Sequence, residues 1–146
     1  MYSDSNVKFK HFDHIHVTLC KRRVHDKVYM GKARCHPADY DFESQLVGEH
    51  YAYMRSLLAE MRAHRNDLLA ELRALNHVYD ILLQNNNVSK QSIECYTLRR
   101  QIKLKERDLA EVRALIKDTN INLRETIQEK DKLYVKLREK RNANNE

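Results

Sequence analysis

The strongest constraint in this chain is a spacing. Between Asp41 and about Leu83, the residues Met54, Leu58, Met61, Arg65, Leu68, Leu72, Leu75, Tyr79 and Leu82 follow one another at steps of four and three. Between Ser89 and about Arg141 the same rhythm runs through Leu98, Ile102, Lys105, Leu109, Val112, Ile116, Thr119, Leu123, Thr126, Lys130, Leu133 and Leu137. Such steps keep one stripe of an α-helix apolar, and the stripe must be covered by another helix, as in a coiled coil. Asn85-Asn86-Asn87 separates the runs, and Asn both tolerates left-handed geometry and competes for backbone hydrogen bonds. A connection this short predicts an antiparallel helical hairpin, with helices over about 41–84 and 89–141, Ser89 capping the second and its end overhanging the first. The polar members Arg65, Lys105, Thr119, Thr126 and Lys130 lower seam stability while selecting register and partner, or reach out of an imperfect seam.

The first third of the chain reads differently. Ile15–Arg22 and Lys27–Cys35 alternate apolar and polar residues, which predicts two short strands around a turn near Val24-His25-Asp26. The stretch from Met1 to about Asp13 is weakly patterned and is expected to be a loose terminus. Pro37 cannot donate a ladder hydrogen bond, so the second strand should end there, and Asp41 is placed to cap the first helix. Gly48 and Ala52 lie four apart on that helix, where small residues would let the hairpin approach closely. The expected fold is mainly α: residues 1–40 form a tail and a β-hairpin, packed on a long antiparallel helical hairpin over 41–146.

Gly31-Lys32-Ala33-Arg34-Cys35-His36-Pro37-Ala38-Asp39-Tyr40-Asp41-Phe42, followed by Gly48, Ala52 and Arg55, resembles a pattern in small accessory proteins of tailed phages and prophages. The pattern is Gly-x-Ala-x-Cys-x-Pro-x-Asp, an Asp-Phe or Phe-Asp pair, then a Gly and an Ala-x-x-Arg within one helix. It covers about residues 15–60. Ala38 stands where the pattern often has an acid, and the second long helix lies outside it. The resemblance implies a non-enzymatic accessory protein that binds a macromolecule in the host cytoplasm, for instance an inhibitor of a host nuclease or defence complex.

Charge supplies a second reading. The net charge is +6, and residues 88–146 carry fifteen Lys and Arg against ten acids while residues 45–87 carry four against five. On an ideal wheel Arg99, Lys103, Arg113, Lys117 and Arg124 fall within a sector of roughly 80°, interrupted by Glu106. Like charges four apart weaken a helix slightly, so a stripe of them suits an anionic partner, nucleic acid or an acidic protein surface. The alternative is a plain solvated face, since acids adjoin it.

Other chemistry finds little footing. His11, His14, His16, Cys20, His25, Cys35 and His36 are metal-compatible, but no paired spacing of a closed zinc site joins them, so neither metal nor cofactor is expected. Cys35 and His36 are strand neighbours pointing to opposite faces, which argues against a thiolate–imidazole pair. No phosphate loop or acid–base set accompanies them, and no enzyme activity is expected. The three cysteines give no disulfide framework. No run approaches the ~20 apolar residues of a membrane span, and the start lacks the regions of a signal peptide, so a cytoplasmic location is expected. Tyr53, Leu57, Leu69, Val78, Ile127 and Tyr134 flank the seams as extra apolar surface, which predicts a homo-oligomer.

Overall fold

The computed structural model describes residues 6–42, 44–85, 89–90 and 92–144. The elements are β1 (Val7–Phe12), β2 (Val17–Val24), β3 (Lys27–Arg34), α1 (Gln45–Gln84) and α2 (Ile93–Asn144), with 3-10 turns at Asp13–Ile15 and Pro37–Phe42. The chain divides into two compact units, Met1–Glu60 with Asp118–Glu146, and Met61–Lys117. The division falls inside both helices.

In the first unit the strands form an antiparallel sheet in the order β1-β2-β3. This corrects the expected two-stranded hairpin and, over residues 6–13, the expected loose terminus, whose residues 1–5 lie outside the described residues. Val7-Lys8-Phe9-Lys10-His11-Phe12 alternates as a strand should, and its register sets Phe9 opposite Cys20 and Phe12 opposite Val17. A two-stranded ribbon is marginal in water, and the third strand widens the face that can lie on a helix. The turn into β2 closes at His16, left-handed at φ 55°, and the turn between β2 and β3 places His25 at φ 54°.

The inner face of the sheet lies on the first turns of α1. Gly48, Ala52 and Ser56 recur every fourth residue there. A Cβ on Gly48 would come 2.7 Å from Thr18 Oγ1, and one on Gly31 would collide with the carbonyl oxygen of Ala52 and, at 2.5 Å, with the amide of Ser56. The close approach expected at Gly48 and Ala52 is thus present, and Gly31 completes it.

The helix starts differ from expectation. α1 begins at Gln45, and the Ser44 hydroxyl accepts from the Val47 amide at 3.4 Å, so Ser44 is the cap and Asp41 lies within the 3-10 turn. Likewise α2 begins at Ile93, and the Ser92 hydroxyl accepts from the Cys95 amide at 3.2 Å, which replaces Ser89. In each case the serine directly before the first helical residue reaches the free amides, whereas the predicted caps lie about a turn too early. Of the Asn turn, Asn85 donates its amide to the Leu82 carbonyl at 3.2 Å, and residues 86 and 87 lie outside the described residues.

The seam side chains are covered within the chain. In the first unit Leu58 and Leu123 are buried and Met54 is half-buried; in the second, Met61, Leu68, Leu72, Ile102, Leu109, Val112 and Ile116 are buried and Leu75 is half-buried. Lys105 Nζ lies 2.6 Å from Glu71 Oε2, and antiparallel passage through that pair sets Leu68 and Leu75 level with Leu109 and Ile102. The rhythm fails at Leu133, which is exposed while Tyr134 is buried. A straight helix drifts by ~20° per heptad against a strict seven-residue repeat, and the buried stripe moves on by one residue. The predicted overhang is not free either, since Arg138 Nη1 lies 3.5 Å from the buried Asp39.

The flanking apolar residues are largely absorbed. Tyr134 is buried, Tyr53, Leu57, Leu69 and Ile127 are half-buried, and Val78 alone of the six is exposed. Sheet and α2 cover in the first unit what a bare helical pair would leave open.

Candidate nucleic-acid interface

Two kinds of polar constellation are present, one buried and one exposed. The buried one joins β2 to α1. Arg22 is 1% exposed, its Nε donates to Ser56 Oγ at 2.9 Å, and its Nη2 donates to Glu60 Oε2 at 2.8 Å and to the Ser56 carbonyl at 3.3 Å. The guanidinium also stands 5.6 Å from the Tyr53 ring centroid. A charge taken so far from water requires a partner, and Glu60 supplies it. Cys20 lies beside this pair, 3.7 Å from Ser56 Oγ; burial raises its pKa although Ser56 and Arg22 act in the opposite sense, so it stays a thiol. A thiol is a poor nucleophile, and the cluster links β2 to α1 through the Arg22 bonds to Ser56 and Glu60.

The metal-compatible residues are dispersed. His11 Nε2 donates to Glu49 Oε1 at 2.8 Å, and its Nδ1 lies within hydrogen-bond distance of Thr18 Oγ1 at 3.1 Å. His16 stacks on Tyr40 with centroids 3.5 Å apart, and His14 meets the Phe12 ring edge-on. Cys35 donates its S–H to the His36 carbonyl at 3.6 Å, and His25 occupies the β2–β3 turn. Among the described residues no three His, Cys, Asp or Glu side chains gather as metal ligands.

The exposed constellation is basic. Arg99, Lys103, Arg113 and Lys117 are all exposed on α2 in the second unit, while Arg124, also exposed, belongs to the first. The five predicted residues are therefore four plus one. Tyr96, Arg99, Arg100 and Lys103 line a shallow hollow of about 440 Å³, and Tyr96 is 58% exposed. Sequence reasoning missed Tyr96 and Arg100, although Tyr96 precedes Arg99, Arg100 and Lys103 by three, four and seven residues, the helical neighbours of one face. Among the described residues none of these cations forms an ion pair, whereas Lys105, two residues on, is paired with Glu71, whose hydrogen bond raises the lysine pKa.

The polar seam residues have separate fates. Arg65 turns outward to Asn66 Oδ1 at 3.4 Å, and the Thr126 hydroxyl donates to the Asn122 carbonyl at 2.8 Å. Lys130 Nζ sits 5.2 Å from the Tyr134 centroid and 5.7 Å from that of Tyr51, a cation held over two aromatic faces. Tyr51 in turn donates its O–H to the Thr126 carbonyl at 3.4 Å; burial first, then the Asp131 charge, pushes its pKa up to about 12.

Among the described residues no helix is long and apolar enough to cross a membrane. Comparison of the chain with protein families, with curated proteins and with solved structures finds no match.

Proposed function

We propose that this chain is a non-enzymatic binding protein whose α2 surface takes a polyanion, in the first place nucleic acid. The observation that carries this reading is the hollow at Tyr96, Arg99, Arg100 and Lys103, where three cations that form no ion pair among the described residues line a hollow beside an exposed ring. Adjacent like charges cost helix stability, and a guanidinium fork matches the geometry of a phosphate. The exposed Tyr96 hydroxyl adds a donor for a phosphate oxygen. Arg113 and Lys117 extend the cationic face within the same unit.

The test is fluorescence anisotropy against labelled duplex over a salt series. With about four or five phosphate contacts the slope of log affinity against log salt should be roughly −4. The double reversal Lys103→Glu, Lys117→Glu should remove about two contacts from that slope with helicity unchanged. A flat salt response, or indifference to the reversal, would overturn the assignment.

A second reading, the phage-type inhibitor of a host nuclease or defence complex, draws support from a different feature of the second unit. Glu71, Ala74, Leu75, Gln101, Leu104 and Lys105 line an almost wholly apolar hollow of about 470 Å³, and Leu104 is 42% exposed. Apolar hollows of this kind suit a protein side chain, either from a host partner or from a second copy of the chain. Light scattering that gives more than the 17.5 kDa of one chain, reduced to that mass by Leu104→Asp, would assign the hollow to self-association.

A further inference from the structure

The outward face of the sheet carries cations and no acids. Pleating sends Thr18, Cys20 and Arg22 towards α1, and so sends Lys21 and Arg23 to the other side. Strand register then sets Lys8 and Met30 beside Lys21, Lys10 and Lys32 beside Leu19, Val28 beside Arg23, and Phe12 and Arg34 beside Val17. Lys8, Lys10, Lys21, Arg23, Lys32 and Arg34 therefore share one face, all are exposed, and none forms an ion pair among the described residues. The three strands contain no Asp or Glu. Lys8 directly opposite Lys21 opposes sheet pairing, and a face that served only as solvated surface would gain from an acid at either position.

Apolar groups are interleaved with this charge. Met30 is 54% exposed and Val28 43% exposed, Leu19 is half-buried one outward pair beyond Met30, and Lys10 lies 5.0 Å from the Phe12 ring centroid. Asn6, Val7, Lys8, Lys21, Arg23 and Val28 line a hollow of about 270 Å³ at one end of the face.

We propose that this sheet face is a second nucleic-acid surface and that its occupant is a single strand. The proposal extends the nucleic-acid reading of α2 to a different element and uses none of its residues. Duplex would present only phosphate and sugar to a broad sheet, leaving Met30 and Val28 against charged backbone. A single strand instead splays its bases, and these cover the apolar side chains while the six cations hold the phosphates. An acidic polypeptide or an anionic bilayer would use the same cations, and both serve as competing occupants in the test.

Anisotropy of the full chain with a labelled oligo(dT) of about 16 nucleotides, the upper range of sites on small β platforms, supplies the measurement. Lys21→Glu with Arg23→Glu should weaken oligo(dT) binding at least ~10-fold and flatten the salt slope by about 1.4, at ~0.7 per single-strand contact. Met30→Ser should weaken it several-fold with the slope unchanged, because it removes apolar contact and no charge. Far-ultraviolet circular dichroism controls for folding, and Lys21→Gln with Arg23→Gln is the milder pair should the reversal disturb the strand. Wild-type affinity for oligo(dT) in the folded sheet variants would overturn the proposal while leaving the α2 reading intact. Loss confined to polyglutamate or phosphatidylserine vesicles would overturn it too. Loss of oligo(dT) in the sheet variants, with duplex binding indifferent to the α2 reversal, would keep it and remove the α2 reading.

Discussion

The two units solve one problem, how to cover a helix, by different means. In the second, Leu68, Leu72, Leu109 and Val112 are buried in apolar seams, and one exposed ion pair, Glu71–Lys105, marks the register. In the first, α1 meets the sheet through glycine, alanine and serine, and the largest fully buried side chain is Arg22, tied to Ser56 and Glu60. Apolar contact is non-directional and tolerates rearrangement, whereas a buried charge pair is strongly penalised unless its geometry is met. The first unit is thus the more particular of the two, and the second the more adaptable.

The largest effect expected follows from that contrast. Glu60→Ala removes the carboxylate that pairs with the buried Arg22 guanidinium and should cost ~3–5 kcal/mol, read from denaturant midpoints. Arg22→Met combined with Glu60→Leu removes both charges and should recover most of the loss. If the double variant is no more stable than Glu60→Ala alone, the pair is not acting as one unit and the contrast drawn here fails.

In the second unit the matching substitution is Leu72→Ala, expected to cost ~2–5 kcal/mol according to how far the site collapses. Val112→Asp should cost more, because it places a charge in an apolar seam. Unchanged thermal midpoints in both would mean that the seam does not hold this unit.

These two regions also differ in how far the sequence discloses them. Leu58, Leu68, Ile102 and Val112, which helical spacing sets on one stripe, are buried, since burial of one stripe is all that a helical pair demands. The same spacing misplaced Leu133 and Tyr134 because a strict heptad repeat and a straight helix of 3.6 residues per turn drift apart by ~20° per heptad, which amounts to about one residue position by that point. β1 was hidden by its lysines: Lys8 and Lys10 look like a polar tail until the strand places them on an outward face. The Arg22–Glu60 pair joins residues 38 apart, which no local pattern discloses. Of the candidate sites, the α2 cations were legible as a stripe, but the sheet cations were not, because net charge over residues 1–44 averages the strands with acids in the turns.

A smaller effect tests the α1–α2 contact within the first unit through pH. Tyr51 has its pKa raised above the usual 10.0 to about 12. The folded state therefore holds the phenol proton more tightly than the unfolded state. This stability is fully present below pH 10 and is lost as pH rises through about 12, a change of up to ~2–3 kcal/mol. Tyr51→Phe should remove this component of the alkaline loss. An identical alkaline unfolding profile in the variant would show that the Tyr51 hydroxyl is not sequestered by Thr126.

The smallest effect separates the two candidate caps of α1. Ser44 Oγ is 3.4 Å from the Val47 amide, a long bond, and Gly48 donates its amide to the Ser44 carbonyl at 3.1 Å. Ser44→Ala removes the first and keeps the second, so the cost should be ~1 kcal/mol or less, near the lower end for caps. Asp41→Ala should leave that cap untouched, because Asp41 precedes the helix within the 3-10 turn. The start of α1 carries Gly48 and Ala52 into the sheet, so fraying there should also loosen the close approach of Gly48 to Thr18. Amide exchange is the appropriate measurement, since it reports local opening at single residues. Ser44→Ala should speed exchange at Val47 and its neighbours while leaving Leu68 and Leu72 in the second unit unaffected. Equal acceleration in both units would show that the start of α1 and the seam open together, and that the distinction between a particular unit and an adaptable one does not extend to their dynamics.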